Sequence, residues 1–162
     1  MFAVENYSGK REENYQLVLK QLQALIEDEK NMIANLSNAS ALLNQFLDRV
    51  NWVGFYLTDE QDELVLGPFQ GLPACVRIKF GKGVCGTAAQ TRETVVVADV
   101  NQFPGHIACD AASQSEIVVP LVKNDKVIGV LDIDSPEKNR FDEIDKAYLE
   151  KFVGILINYI NN

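Results

Sequence analysis

The chain has one histidine, one tryptophan and three cysteines in 162 residues, and each scarcity narrows what it can do. Cys75, Cys85 and Cys109 are odd in number and contain no CxxC pair, so they do not form a disulfide framework. Long apolar runs are missing: residues 117–122 and 127–131 are strand-sized, far short of the roughly 18 residues that suggest a membrane span. No basic stretch followed by an apolar segment opens the chain, so a secretory signal is not expected. Unpaired thiols then point to a reducing, cytoplasmic setting. Positive charge is also in deficit, with 15 Lys and Arg against 23 Asp and Glu and a net charge of −8. Without a Lys/Arg stripe to override that balance, neither nucleic acid nor an anionic membrane is an expected partner.

What is present is enough apolar material for one core, at 47% of residues. Neither a repeat nor a linker interrupts the chain, so residues 1–162 read as one domain with a polar, mobile N-terminal arm over 1–14. Apolar residues at helical spacing predict helices over 15–26 and 32–50. A third helix closes the chain, with Asp142 as its N-cap. Between them the period shortens. Residues 52–57 and 63–69 predict two strands joined by a polar turn at 59–62, and 74–78 and 94–97 predict shorter ones around a helix at 84–92. Segments 116–123 and 126–134 flank Asn124 and Asp125, residue types that tolerate the positive φ of a two-residue hairpin turn. The expected class is α+β: an antiparallel sheet of about six strands with helices from both termini packed on one face.

Several polar residues sit where a plain core would not put them. Asp132 and Asp134, two apart on a strand, point to one face, either at a solvated strand end or into a polar cavity. Pairing Lys123 with Lys126 would set Glu116 opposite Ile133, on the other face from the aspartates. Glu116 joins them only if a one-residue irregularity intervenes. Pro120, unable to donate to the ladder, supplies a motive for a bulge nearby. The segment 103–115 is long for a connection and carries Cys109 beside His106 and Asp110.

The thiols admit three readings. Cys85, among the small residues of VCGTAA, fits a buried structural cysteine. The three cysteines with His106 have the composition of a Cys3His zinc set, but structural zinc prefers close ligand pairs and only His106 and Cys109 form one. In the redox reading, a loop thiolate attacks an electrophile and a second thiol resolves the sulfenic acid as a disulfide. His106 or Arg77 would supply the positive charge that favours the thiolate.

The segments LGPFQGLPACVRI (66–78), GKGVCGTA (81–88), GHIACDAASQSEIVVPL (105–121) and IGVLDIDS (128–135) resemble the signature of free methionine-(R)-sulfoxide reductases, which are built on a GAF domain. The resemblance runs from about Ser37 through the final helix. It implies a single GAF domain that reduces free L-methionine (R)-S-oxide, with Cys109 as nucleophile and Cys75 as the resolving cysteine. Cys85 would be an alternative resolving thiol or relay. It further implies a substrate pocket made by Glu116, Asp132 and Asp134, with Trp52 as the wall for the substrate methyl group. No bound cofactor is implied; thioredoxin is the expected reductant, at the expense of NADPH. Pairing as a homodimer is expected by fold analogy. Three clustered carboxylates raise one another's pKa, so one can keep the proton that activates a sulfoxide oxygen while another holds the substrate ammonium. A non-catalytic GAF sensor of small molecules and a thiol redox switch are the competing readings.

Overall fold

A computed structural model describes residues 7–107 and 109–160. Along the chain lie α1 (Arg11–Ile26), α2 (Met32–Phe46), β1 (Trp52–Thr58), β2 (Glu63–Gln70), β3 (Arg77–Lys79), α3 (Gly83–Thr91), β4 (Val95–Val97), β5 (Ser115–Lys123), β6 (Lys126–Ser135) and α4 (Glu143–Leu156). The strands form one antiparallel sheet in the order β3-β2-β1-β6-β5-β4. This is the α+β architecture expected.

Side chains alternate across a strand, so each strand feeds two layers. Val53, Phe55, Ile117, Val119, Leu121, Leu131 and Ile133 project to one face and are fully or nearly fully buried under α1, α2 and α4. Trp52, Tyr56, Leu64, Val118 and Val130 project to the other, where α3 covers part of the sheet. Helix α3 lies close to β3 because Gly86 has no side chain: a Cβ there would come 2.4 Å from the Lys79 carbonyl oxygen. Helix α4 begins with a reciprocal capping box between Asp142 and Asp145. None of the described helices is long and apolar enough to cross a membrane.

The register settles where Glu116 points. Asn124 and Asp125 make the hairpin turn at φ 51° and 64°. Lys123 pairs with Lys126 and Val122 with Val127, but Leu121 then pairs with Gly129, leaving Ile128 as an extra residue. This bulge lies beside Pro120, where the sequence expected one. A one-residue slip flips every later side chain to the opposite face. Glu116 consequently pairs with Asp134, and Val118 with Asp132.

Three boundaries differ from the sequence reading. Helix α2 stops at Phe46 instead of 50, because Leu47 is extended and Arg49 has φ 54°. Residues 74–76 are not strand: only Arg77–Lys79 join the ladder. Residues 11–14 of the arm expected over 1–14 belong to α1, which Arg11 opens, its guanidinium bridging Asp142 and Asp145. Residues 1–6 of that arm lie outside the described residues.

Candidate active site

The start of β1 and the facing ends of β5 and β6 place their side chains in cross-strand rows. One row is Trp52, Asp134 and Glu116; the next is Gly54, Asp132 and Val118. Above these rows lies a cavity of about 40 Å³, lined by Trp52, Glu116, Asp132 and Asp134 together with Cys85, His106 and Cys109. The sheet supplies the acids, α3 supplies Cys85, and the loop after β4 supplies Cys109.

Trp52 is 2% exposed. Its ring stacks on Phe69, with centroids 5.1 Å apart and planes 15° apart, and more loosely on Tyr56 at 5.9 Å. Its indole N–H donates to the Leu72 carbonyl at 3.1 Å. Gly54 makes the stack possible: a Cβ there would lie 2.2 Å from Phe69 Cβ and 2.9 Å from the Trp52 ring. An aromatic residue fixed at both its face and its polar end is a rigid wall.

Cys75 and Cys109 form a disulfide with a Cα separation of 5.6 Å. It ties the loop after β4 to the segment before β3. The Tyr56 hydroxyl donates to the Cys75 carbonyl at 2.9 Å, anchoring one side. On the other side Asn51 Nδ2 donates to Asp110 at 2.9 Å and to Ser113 Oγ at 3.2 Å. Cys85 is a free, buried thiol.

The three carboxyls are electrostatically stressed. Burial pushes Glu116 and Asp134 well above the ordinary carboxylate range, and the neighbouring Asp132 charge pushes them further. Burial raises Asp132 too, but hydrogen bonds from Glu116 and Cys85 oppose that rise. The hydrogen bonds at Asp132 thus favour its charged form, while Glu116 and Asp134 are driven toward the protonated one. Asp132 Oδ1 is buried and accepts no hydrogen bond. An open acceptor in so dry a place is suited to a donor that arrives with a ligand.

Residues 36–159 match the GAF domain family. A free methionine-R-sulfoxide reductase from Escherichia coli is 54% identical over 133 residues, covering 82% of this chain and 80% of its own length. One from Saccharomyces cerevisiae is 48% identical over 160 residues, covering 93% and 89%. The X-ray structure of a free methionine-R-sulfoxide reductase from Neisseria meningitidis, in complex with its substrate, superposes with a TM-score of 0.94 at 47% identity, covering 98% of this chain and 95% of that one. The chain belongs to the free methionine-R-sulfoxide reductases.

For a reductase of this family, the disposition of the other chemically able groups matters. Cys75 and Cys109 are bonded to each other, which removes two thiols from the Cys3His zinc set. A different trio, Cys85, Glu116 and Asp132, brings one potential ligand atom each to within 4.8 Å of one another. Its protons account for it as a hydrogen-bonded cluster, since burial holds Cys85 as a neutral thiol. Neither expected source of positive charge reaches Cys109 in charged form. Arg77 is engaged by Glu63 at 2.9 Å and Asp59 at 3.2 Å. His106 lines the cavity, but burial lowers its pKa and keeps it neutral.

Sequence reasoning missed Tyr56, Phe69, Asn51 and Gly54. The first two read as ordinary strand residues. Gly54 did carry a signal, because a glycine inside a strand marks close approach by a neighbour.

Proposed function

We propose that this chain reduces free L-methionine (R)-S-oxide to L-methionine by sulfenic acid and disulfide chemistry at Cys109, with thioredoxin as the regenerating dithiol. The observation that carries the reading is the convergence of Cys109, Trp52 and three buried carboxyls on one cavity. Protonated Glu116 donates to the sulfoxide oxygen, which makes the sulfur electrophilic. The Cys109 thiolate attacks that sulfur and forms an S–S bond; the protonated oxygen then passes to Cys109, the S–O and S–S bonds both break, and methionine departs, leaving Cys109 as a sulfenic acid. Cys109 sulfur loses two electrons and the sulfoxide sulfur gains them. The Cys75 thiol then displaces water from the sulfenic acid, forming the Cys75–Cys109 bond. Cys85, buried and hydrogen-bonded to Asp132, serves as a proton donor that keeps the charge on that aspartate.

Asp132 and Asp134 receive the substrate ammonium, and the open Asp132 Oδ1 suits that role. Only the free amino acid has an ammonium beside its sulfoxide side chain, which accounts for a preference over peptides. The Trp52 face packs against the methyl group.

The test is NADPH oxidation coupled through thioredoxin and its reductase, with free R-sulfoxide, free S-sulfoxide or an R-sulfoxide peptide. Turnover is expected with the free R form alone and is lost in Cys109→Ser. Asp134→Ala should remove sulfoxide turnover, by about 100-fold or more, while sparing the peroxide reactivity of Cys109. Absence of turnover by folded, reduced protein would reassign the chain as a ligand-binding GAF domain or a thiol switch.

A further inference from the structure

If the cycle above operates, the Cys75–Cys109 disulfide has to be opened by an outside dithiol once per turnover, and its two faces are not equivalent. Both cysteines are half-buried, but Cys109 lines the cavity whereas Cys75 lies outside that lining. Apolar exposure concentrates here. Leu72, Val76 and Ile107 are 64%, 61% and 38% exposed, and all three lie within three residues of a disulfide cysteine. Isolated exposed apolar residues need no special reason, but here three flank the two halves of one reactive bond.

The sequence around Cys75 runs against the charge of the rest of the chain, with Glu63 across the ladder from Lys79. Residues 64–92 contain Arg77, Lys79, Lys82 and Arg92 and no Asp or Glu, in a chain of net charge −8. Arg77 is neutralised by Glu63 and Asp59, and Arg92 by Asp125. Lys79 and Lys82 are exposed and make no ion pair among the described residues. Lys82 borders the cavity, and Ile107 packs over Gly83 beside it. Asp110, next to Cys109 in sequence, is held by Asn51 and the Ala112 N–H.

We propose that Val76, Leu72 and Ile107, with Lys79 and Lys82, form the docking surface for an acidic dithiol protein of the thioredoxin class, and that its thiolate attacks Cys75. This rests on the reductase reading above and adds the surface, the charge of the partner and the sulfur attacked. An acidic partner is repelled by most of the chain and steered to this patch. Its first thiolate forms a mixed disulfide with Cys75 and expels Cys109 as a thiolate into the cavity. Its second thiol then displaces Cys75. Two electrons pass to the reductase, which ends with two thiols, and the partner ends as a disulfide.

The test measures disulfide opening itself, by alkylating freed thiols and counting them by mass spectrometry, with no sulfoxide present. Wild type and a Val76→Ser/Lys79→Glu double variant are each reduced by thioredoxin or by dithiothreitol. The double variant should react with thioredoxin about tenfold more slowly, and with dithiothreitol at the wild-type rate. Added salt should slow thioredoxin more for the wild type than for the variant. A thioredoxin lacking its second cysteine should be trapped on Cys75. Equal thioredoxin rates, a matching fall with dithiothreitol, or trapping on Cys109 would overturn the proposal. So would an altered oligomeric mass with unaltered reduction, which would give the patch to a second copy of the chain. Normal behaviour here without sulfoxide turnover would instead sink the catalytic reading and leave the docking surface standing.

Discussion

Reduction of the Cys75–Cys109 bond is expected to loosen the protein and open its cavity together. The bond closes a loop with a sequence separation of 34. Loop-closure entropy for that length is worth roughly 4 kcal/mol, as a constraint removed from the unfolded chain. At about 2–4 °C per kcal/mol for a chain of this size, the oxidised form should melt roughly 8–16 °C above the reduced one. Calorimetry of the two forms reads the shift directly, and a Cys75→Ser/Cys109→Ser variant, indifferent to reductant, supplies the baseline. The same experiment tests entry to the cavity. The disulfide holds Cys109 in the wall of this cavity, which leaves about 40 Å³ open to water. Added methionine sulfoxide should therefore raise the melting temperature of reduced Cys109→Ser, which binds without turning over, and leave the oxidised wild type unmoved. Melting within about 2 °C in both redox states would refute the tether. A ligand-induced rise in the oxidised form would refute the exclusion.

Two further substitutions probe the acids and the wall. Glu116 has a folded pKa raised above its unfolded value, so its contribution to stability is full below that unfolded value and is lost as pH rises through the folded one. Glu116→Gln should accordingly resist urea better than wild type at pH 8 and match it near pH 4, while losing turnover; a stability gap that grew on acidification would contradict the assignment. Gly54→Ala would press its methyl to 2.2 Å from Phe69 Cβ and 2.8 Å from Phe69 Cα, at a cost of about 1–3 kcal/mol. Because Trp52 is the chain's one tryptophan, its emission reports the displacement, and wild-type emission with an unchanged urea midpoint would mean that the wall is not set by that contact.

Strand periodicity made the sheet legible, and the quality of each expectation followed how local its cause was. The 124–125 turn is local chemistry, and so is the cap at Asp142. The face of Glu116 depends on a bulge, yet Pro120 supplied the missing residue's motive, so even that non-local feature left a trace. Residues 74–76 were legible only as strand-like composition. What holds them is the bond to Cys109, the Tyr56 hydroxyl and the Leu66 N–H on the Val76 carbonyl, all distant in sequence. The same distance hid the pairing of Arg77 with Asp59 and Glu63, and hence its unavailability to a thiolate. Helix α2 was read too long because Leu47 and Val50 continue its apolar spacing while serving the entry to β1.

Two buried aspartates in this chain differ in the donors that surround them, and the difference bears on the proposed role of Asp132. Asp145 is 1% exposed and fully answered: Tyr15 and Arg11 donate to one carboxylate oxygen at 2.6 and 2.9 Å, and Arg140 and the Asp142 N–H to the other at 3.2 and 3.0 Å. That arrangement fastens α1 to the start of α4 and asks for nothing from outside. Asp132 is 6% exposed, faces two other acids, and keeps one oxygen with no donor. Burial is the same in both cases, so burial alone does not mark function. The difference lies in the supply of donors: two arginines and a phenol surround Asp145, and no arginine or lysine side chain bonds to Asp132 among the described residues. A sheet that collects acids on one face without a fixed cation is unstable toward ionisation of the second and third, and a bound ammonium is the group that would relieve it.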